Sequence, residues 1–200
     1  FSDSCTYEGN RFSGNGAGVA VMYTRHVRMI DNEFSNNWGG GAYGLLLKEI
    51  TDSEISGSRF HRNSVGVFAE GVIRATVSDC QFTENGWAIK IRADSDQNLF
   101  TANNFIGNTF DVATNSRQNY SVFDGNYWSS YSGYDLDRDG AGDIPYHPVS
   151  LFSLIVEKQP PALALLRSAF VDLLEVAERA LPALTPETLV DNSPRMEPLQ

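Results

Sequence analysis

One phrase recurs through the first two thirds of this chain, and a chain that repeats a phrase at a near-fixed interval is built from one repeated structural unit. The phrase is Asn-x-Phe-x-x-Asn, first met as Asn10-Arg11-Phe12-Ser13-Gly14-Asn15. Its aromatic position returns as Phe34, Phe60, Phe82, Phe105 and Trp128, at intervals of 22, 26, 22, 23 and 23 residues. Two residues before it stand Asn10, Asn32, Ser58, Cys80, Asn103 and Asn126; three residues after it stand Asn15, Asn37, Asn63, Asn85 and Asn108.

Within each period the apolar residues alternate. Val19 and Val21, Val67 and Ala69, Ile89 and Ile91, and Val112 and Thr114 fall seven and nine places after the aromatic, and Met29, Val77, Leu99 and Val122 fall seventeen after it. Alternation predicts short strands with one buried face. Such strands, separated by Gly, Asn, Ser and Asp and wound at about 22 to 23 residues per coil, predict an all-β chain, a right-handed parallel β-helix. A leucine-rich repeat has the same period but needs a Leu-x-x-Leu-x-Leu pattern and a helical segment per repeat, and neither is found. Asparagines stacked at a bend are expected to bond to one another and to satisfy turn backbone.

Three stretches follow: coils over 1–124, a terminal coil with a cap and an acidic loop over 125–150, and an α-helical tail over 151–200. Since Asn37 keeps register and the strand pair arrives late as Leu45 and Leu47, the 26-residue interval carries its insertion within 38–44, a glycine-rich loop with Trp38 and Tyr43. That loop is either a tolerated insertion or a binding element. With the insertion allowed for, Met22, Lys48, Glu70, Arg92 and Asn115 share one column, and His26, Asp52, Arg74, Asp96 and Asn119 another. Opposite charges about 4.8 Å apart predict ladders of ion pairs. The alternative is a carbohydrate-binding or polysaccharide-cleaving β-helix using Asp94 and Asp96 near Arg92.

A formal charge of −10 speaks against a nucleic-acid partner. No run of eighteen apolar residues occurs. The chain opens inside a repeat without Met, as expected of the C-terminal piece of something longer. Cys5 and Cys80, in different coils, are expected to be free thiols.

The sixth phrase ends in bulky rings, Trp128 and Tyr131, as a terminal repeat closing an open core would. After it, Asp135, Asp137, Asp139 and Asp143, with Gly140, match the first nine positions of a calcium loop, although Tyr146 stands where the twelfth-position Glu would be. Beyond Pro160-Pro161 a single helix is predicted over 162–181 with Leu163, Leu166, Phe170, Leu173, Leu174, Ala177 and Leu181 on its apolar face. That face needs a surface to cover it, either the coils or a partner, and its extent favours a partner for at least part of it. The last ten residues are expected to be mobile.

The run from Asn126-Tyr127-Trp128-Ser129-Ser130-Tyr131 to Asp139-Gly140, the segment Asp143-Ile144-Pro145-Tyr146-His147-Pro148, and the tail with Leu181-Pro182-Ala183-Leu184-Thr185-Pro186-Glu187 closely resemble the NosD family. The resemblance implies a periplasmic, non-enzymatic β-helical protein that helps assemble the copper centres of nitrous oxide reductase. It implies an ABC permease and ATP-binding subunit as partners, membrane association through the permease, and copper received from a chaperone lipoprotein. The tail residues Leu163, Leu166, Phe170, Leu174 and Leu181, with Trp38 and Tyr43, are then the expected partner-binding set. The local soft donors for copper are Met22, His26 and Met29; no motif of the family assigns ligands there.

Overall fold

The computed structural model describes residues 3–116, 119–180 and 189–200, the side chains of Glu175, Arg179 and Ala180 excepted. Three parallel sheets run the length of a coiled stack. The first holds β1 (Thr6–Glu8), β4 (Arg28–Ile30), β7 (Glu54–Ser56), β10 (Thr76–Ser78), β13 (Leu99–Thr101) and β16 (Val122–Asp124). The second holds β2 (Arg11–Ser13), β5 (Glu33–Ser35), β8 (Arg59–His61), β11 (Gln81–Thr83), β14 (Asn104–Ile106) and β17 (Tyr127–Trp128). The third holds β3 (Ala17–Arg25), β6 (Tyr43–Thr51), β9 (Val65–Glu70), β12 (Trp87–Ile91) and β15 (Phe110–Thr114). Each strand pairs with its counterpart one coil away, so the chain is a parallel β-helix. Two strands, β3 and β6, reach nine residues, longer than the spacing predicts.

The corners explain how so short a strand can turn without losing its ladder. Asp31, Asn36, Arg62 and Glu84 take left-handed φ values of 53°, 56°, 53° and 54°. Left-handed backbone is costly for a residue with a Cβ. Here the N–H of each corner residue still bonds the next coil, as Asn36 does to His61 at 3.0 Å and Arg62 to Thr83 at 3.0 Å. At Gly57 a side chain is also barred by space, because a Cβ would lie 2.1 Å from Asp31 Oδ1.

Inside the stack the recurrent aromatics form one pile. Ring centroids are 4.8 Å apart for Phe34–Phe60 and Phe60–Phe82, 4.9 Å for Phe82–Phe105 and 4.1 Å for Phe105–Trp128. The asparagines do what stacking at a bend predicts. Asn63 Nδ2 donates to Asn85 Oδ1 at 3.0 Å and to the Phe34 carbonyl at 2.9 Å, while its Oδ1 accepts from the N–H and Nδ2 of Asn37. Each buried amide is therefore fully used, which removes the penalty of burying it.

In the other asparagine column Cys80 interrupts the series, and its thiol donates to the Ser78 carbonyl at 3.2 Å. Neither cysteine is in a disulfide. Burial pushes the Cys80 thiol up to about 12, so its reactive thiolate is absent at ordinary pH. Cys80 is expected to resist iodoacetamide at pH 8 in the folded protein and to be alkylated in urea, as mass spectrometry of the peptide will show; fast native labelling would contradict its placement.

Two predicted columns need correction. The buried residues of the first sheet are Met29, Ile55, Val77, Phe100 and Phe123, whereas Leu99 and Val122 face outward. Ala69 pairs with Ile91, but Ile73 pairs with Asp96, so the extra residue of this 23-residue coil lies just after β12, and a count that omits it names the wrong face for the strand that follows. The same shift takes Asp96 out of line with Arg74. Asp52 and Arg74 do pair, at 2.7 and 2.9 Å, and this hydrogen-bonded cation holds the Asp52 carboxyl below its usual range. Lys48 pairs with Glu70 at 2.9 Å. Arg92, expected to continue that column, turns to the tail instead.

The tail is not one helix. Helix α1 (Leu151–Lys158) is followed by a 3-10 helix over Pro160–Leu165 and then α2 (Ala169–Ala180). Two prolines at the start lack donors and favour the tight turn. Phe152, Val156 and Val171 pack on Phe110, with Trp87, Leu166 and Leu174 beside them. Glu157 on α1, its side chain 9% exposed, bridges Lys90 of the third sheet and Arg92 just beyond it. Leu181 and the segment Thr185-Pro186-Glu187 lie outside the described residues.

The last residues, expected to be mobile, are hydrogen-bonded to the coils. Asp191 pairs in parallel with Phe123, Arg195 with Tyr127, and Leu199 exchanges two hydrogen bonds with the Asn104 side chain at 2.9 Å. Those residues lay a further partial rung over the end of the coils. Leu189 and Val149 join the core there, and Tyr146 tilts against Trp128 at 5.0 Å. No helix among the described residues is long and apolar enough to cross a membrane.

Candidate functional site

Three places were marked by the sequence for ligand chemistry, and the fold separates them. At the first, the soft donors part company. Met22 is 48% exposed on β3 and His26 is exposed at the following corner, while Met29 is 1% exposed in the core. The three residues therefore present no common donor face.

At the second, Asp135, Asp137 and Asp139 bring one carboxylate oxygen each to within 4.8 Å of one another. Asp143 stands apart from that trio and accepts the Leu136 N–H at 2.6 Å. Asp135 accepts from Arg138 and Gly140, at 2.6 and 2.9 Å, so backbone donors hold much of the turn. Repulsion from Asp139 raises the Asp137 carboxyl above its usual value. For Asp135 desolvation pulls upward, but the N–H groups of Gly140 and Arg138 prevail and the net shift is downward. Among the described residues this is the one group of three His, Cys, Asp or Glu with metal-like spacing. All-carboxylate oxygen suits a hard cation such as calcium and is a poor match for Cu(I).

The third is a groove of about 360 Å³ on the outer face of the third sheet. Its walls are the inserted loop, Gly39 to Tyr43, and the tail from Val156 to Leu163. Tyr43 lies tilted against Phe68 at 5.0 Å, and Lys90 sits 3.9 Å over the Trp87 ring. Trp38 is exposed and lies outside the lining. The long insertion signalled this place in the sequence. Glu157, which closes it by engaging Lys90 and Arg92, was not signalled, because nothing local in the tail shows which strand it meets. Arg92, which the sugar-cleaving alternative groups with Asp94 and Asp96, bonds Glu157 of the tail.

The partner-binding residues divide likewise. Leu166 and Leu174 are half-buried beside Phe110 and the inner residues of the tail, so the coils cover part of that face. Leu163 and Phe170 are exposed, and with Phe170 two further residues, Leu173 at 68% from the predicted apolar face and Val176 at 62% from outside it, complete an uncovered strip along α2. Residues at i, i+3 and i+6 lie on one side of a helix.

Comparison with known sequences now decides the family. The family model described as "Periplasmic copper-binding protein (NosD)" matches residues 1–133, more than half of the chain. The chain belongs to the NosD family. Two curated NosD proteins, each named "Probable ABC transporter binding protein NosD", are similar to it. The one from Stutzerimonas stutzeri is 28% identical over 196 residues, covering 89% of this chain and 44% of its own length. The one from Pseudomonas aeruginosa is 29% identical over 171 residues, covering 77% of this chain and 40% of its own length. The chain thus spans less than half the length of these NosD relatives. Their name is that of binding proteins, and the family description is periplasmic and copper-binding. In this NosD chain Met22 and His26 face outward and Met29 inward, so these three soft donors are not gathered for that copper.

Proposed function

We propose that this chain serves, within a periplasmic NosD protein, as the non-catalytic β-helical component of an ABC-transporter complex that supports assembly of the copper centres of nitrous oxide reductase. The family match over the coils carries this reading. Its partners are the permease and ATP-binding subunit, a copper-chaperone lipoprotein and the reductase. The strip Phe170, Leu173 and Val176 supports contact with the permease, since a coil stack with its own core has no use for an apolar helix face turned to water.

Deleting the tail would not test this, because residues 189–200 also cover the coil end. The informative variant is Phe170→Ser, Leu173→Ser, Val176→Ser. Capture of the permease from detergent-solubilised membranes is expected to fall about tenfold or more, with the melting temperature changed little because the altered groups are exposed. Undiminished capture would remove the tail from the interface. Cu(I) competition titration tests the copper role, and the aromatic groove makes pectin and alginate the substrates with which to challenge the non-catalytic reading; cleavage at enzyme-like rates would overturn it.

A further inference from the structure

A cavity of about 780 Å³ lies where the coil stack meets the tail, and none of the preceding assignments uses it. Its lining comes from β15, from the segment leading into α1, and from both helices of the tail. One residue in it breaks a pattern. The position occupied by Asp111 is Gly18, Gly44, Gly66 and Ala88 in successive coils, as the strand registers show. In the earlier coils the next strand crowds that place: a Cβ at Gly44 or Gly66 would lie 2.7 or 2.6 Å from a carbonyl oxygen of the neighbouring coil. Ala88 already admits a methyl group there, and β15, the last strand of its sheet, has no further strand to crowd a larger side chain. The space is filled by a carboxylic acid when any small side chain would have sufficed.

Asp111 is buried, and its partners are neutral: the Tyr146 hydroxyl at 3.1 Å and the Asn108 amide at 3.4 Å. A second acid, Glu178, lines the cavity and accepts the Leu151 N–H. His147 also lines it, but among the described residues no lysine or arginine does. Burying a carboxylate without a counter-charge is unfavourable. The opposite side of the cavity is apolar, formed by Phe152, Leu166, Val171 and Leu174.

We propose that this cavity binds a small organic cation, an ammonium or guanidinium group on a carbon body of amino-acid size. The two carboxyls and the tyrosine hydroxyl accept from the cation, and the apolar wall covers its body. The volume falls within the range of small-molecule sites and far exceeds that of a bare ion. The residues also lack the close three-ligand spacing that the acidic loop alone shows among the described residues. Nothing here depends on the copper reading. Burial pushes the Asp111 acid up to about 7, the condition a bound cation would relieve.

Calorimetry and thermal melts of the full chain at pH 8, with agmatine as probe and 1,4-butanediol at matched ionic strength as the neutral control, test the proposal. Agmatine is expected to bind saturably and to raise the melting temperature, while the diol does neither. Asp111→Asn is expected to weaken agmatine at least about tenfold while melting no lower than the parent, which separates lost binding from lost folding. Glu178→Gln is expected to weaken it less. Equal effects of agmatine and the diol, or undiminished binding by the Asp111 variant, would overturn the proposal. So would saturable binding of Cu²⁺ alone that Asp111→Asn abolishes, because the cavity would then be a metal site.

Discussion

Asp191→Ala is expected to destabilise the protein by about 3–5 kcal/mol, the range for leaving a buried charged network without one member. The carboxylate is fully buried and extends the asparagine column by one rung from a segment 65 residues further along. Its Oδ2 accepts from Asn126 N–H, Asn126 Nδ2 and Trp128 Nε1, each at 3.0 Å, and its Oδ1 from the N–H groups of Gly125 and Ser193 at 3.1 Å. Removing it orphans all five donors, each worth about 1–3 kcal/mol if left dry, with water recovering part. Asp191→Asn should lie between, since one oxygen keeps its donors while the new NH₂ faces N–H groups. Urea unfolding gives the loss, and hydrogen exchange should quicken first at Gly125, Asn126 and the Trp128 indole. A loss below about 1 kcal/mol would show that the end of the stack closes without this residue.

The second large effect depends on pH. An acid raised from the usual carboxylate range to about 7 binds its proton more tightly folded than unfolded. Its favourable contribution is therefore complete below about pH 4 and declines as pH rises through 7, by about 4 kcal/mol if nothing compensates. The groups bonded to it are Tyr146 and Asn108, His147 and Glu178 line the same cavity, and among the described residues no lysine or arginine does. Asp111→Asn should flatten this part of the stability–pH curve and leave the variant more stable than the parent at pH 8. A parent curve that rises between pH 5 and 8 in parallel with the variant would refute the assignment to Asp111.

The coils were legible because their rules are local and repeated. A phenylalanine that must stack on its copy, and an asparagine that must bond its copy, each leave a mark at every period, and Phe60 and Asn63 behave as that mark says. Counting forward from those marks fails once a coil gains a residue, which is why Leu99 was expected inside and Phe100 is found there. The candidate copper donors failed for a related reason: Met22 and Met29 are close in sequence, but a corner between their strands turns one outward and the other in. The contacts that close the groove and the stack, Glu157 on Lys90 and Asp191 on Trp128, join segments 63 residues apart or more and repeat nowhere. Asp111 left a readable trace, as the acid that ends a column of three glycines and an alanine.

That borrowed final rung also sets an order of events. Coils that stack on one another can add in sequence as the chain emerges, each burying the face of the one before. The last face, under Trp128, is covered by residues from Leu189 onward, which are made only after the helices have been laid along the side of the stack. Until then the newest surface stays wet and open to a wrong strand. Completion therefore belongs to a single late ring closure, whose chain-entropy cost grows only as the logarithm of the intervening length. A ribosome pause or a nick within the tail would be felt first at the far end of the coils.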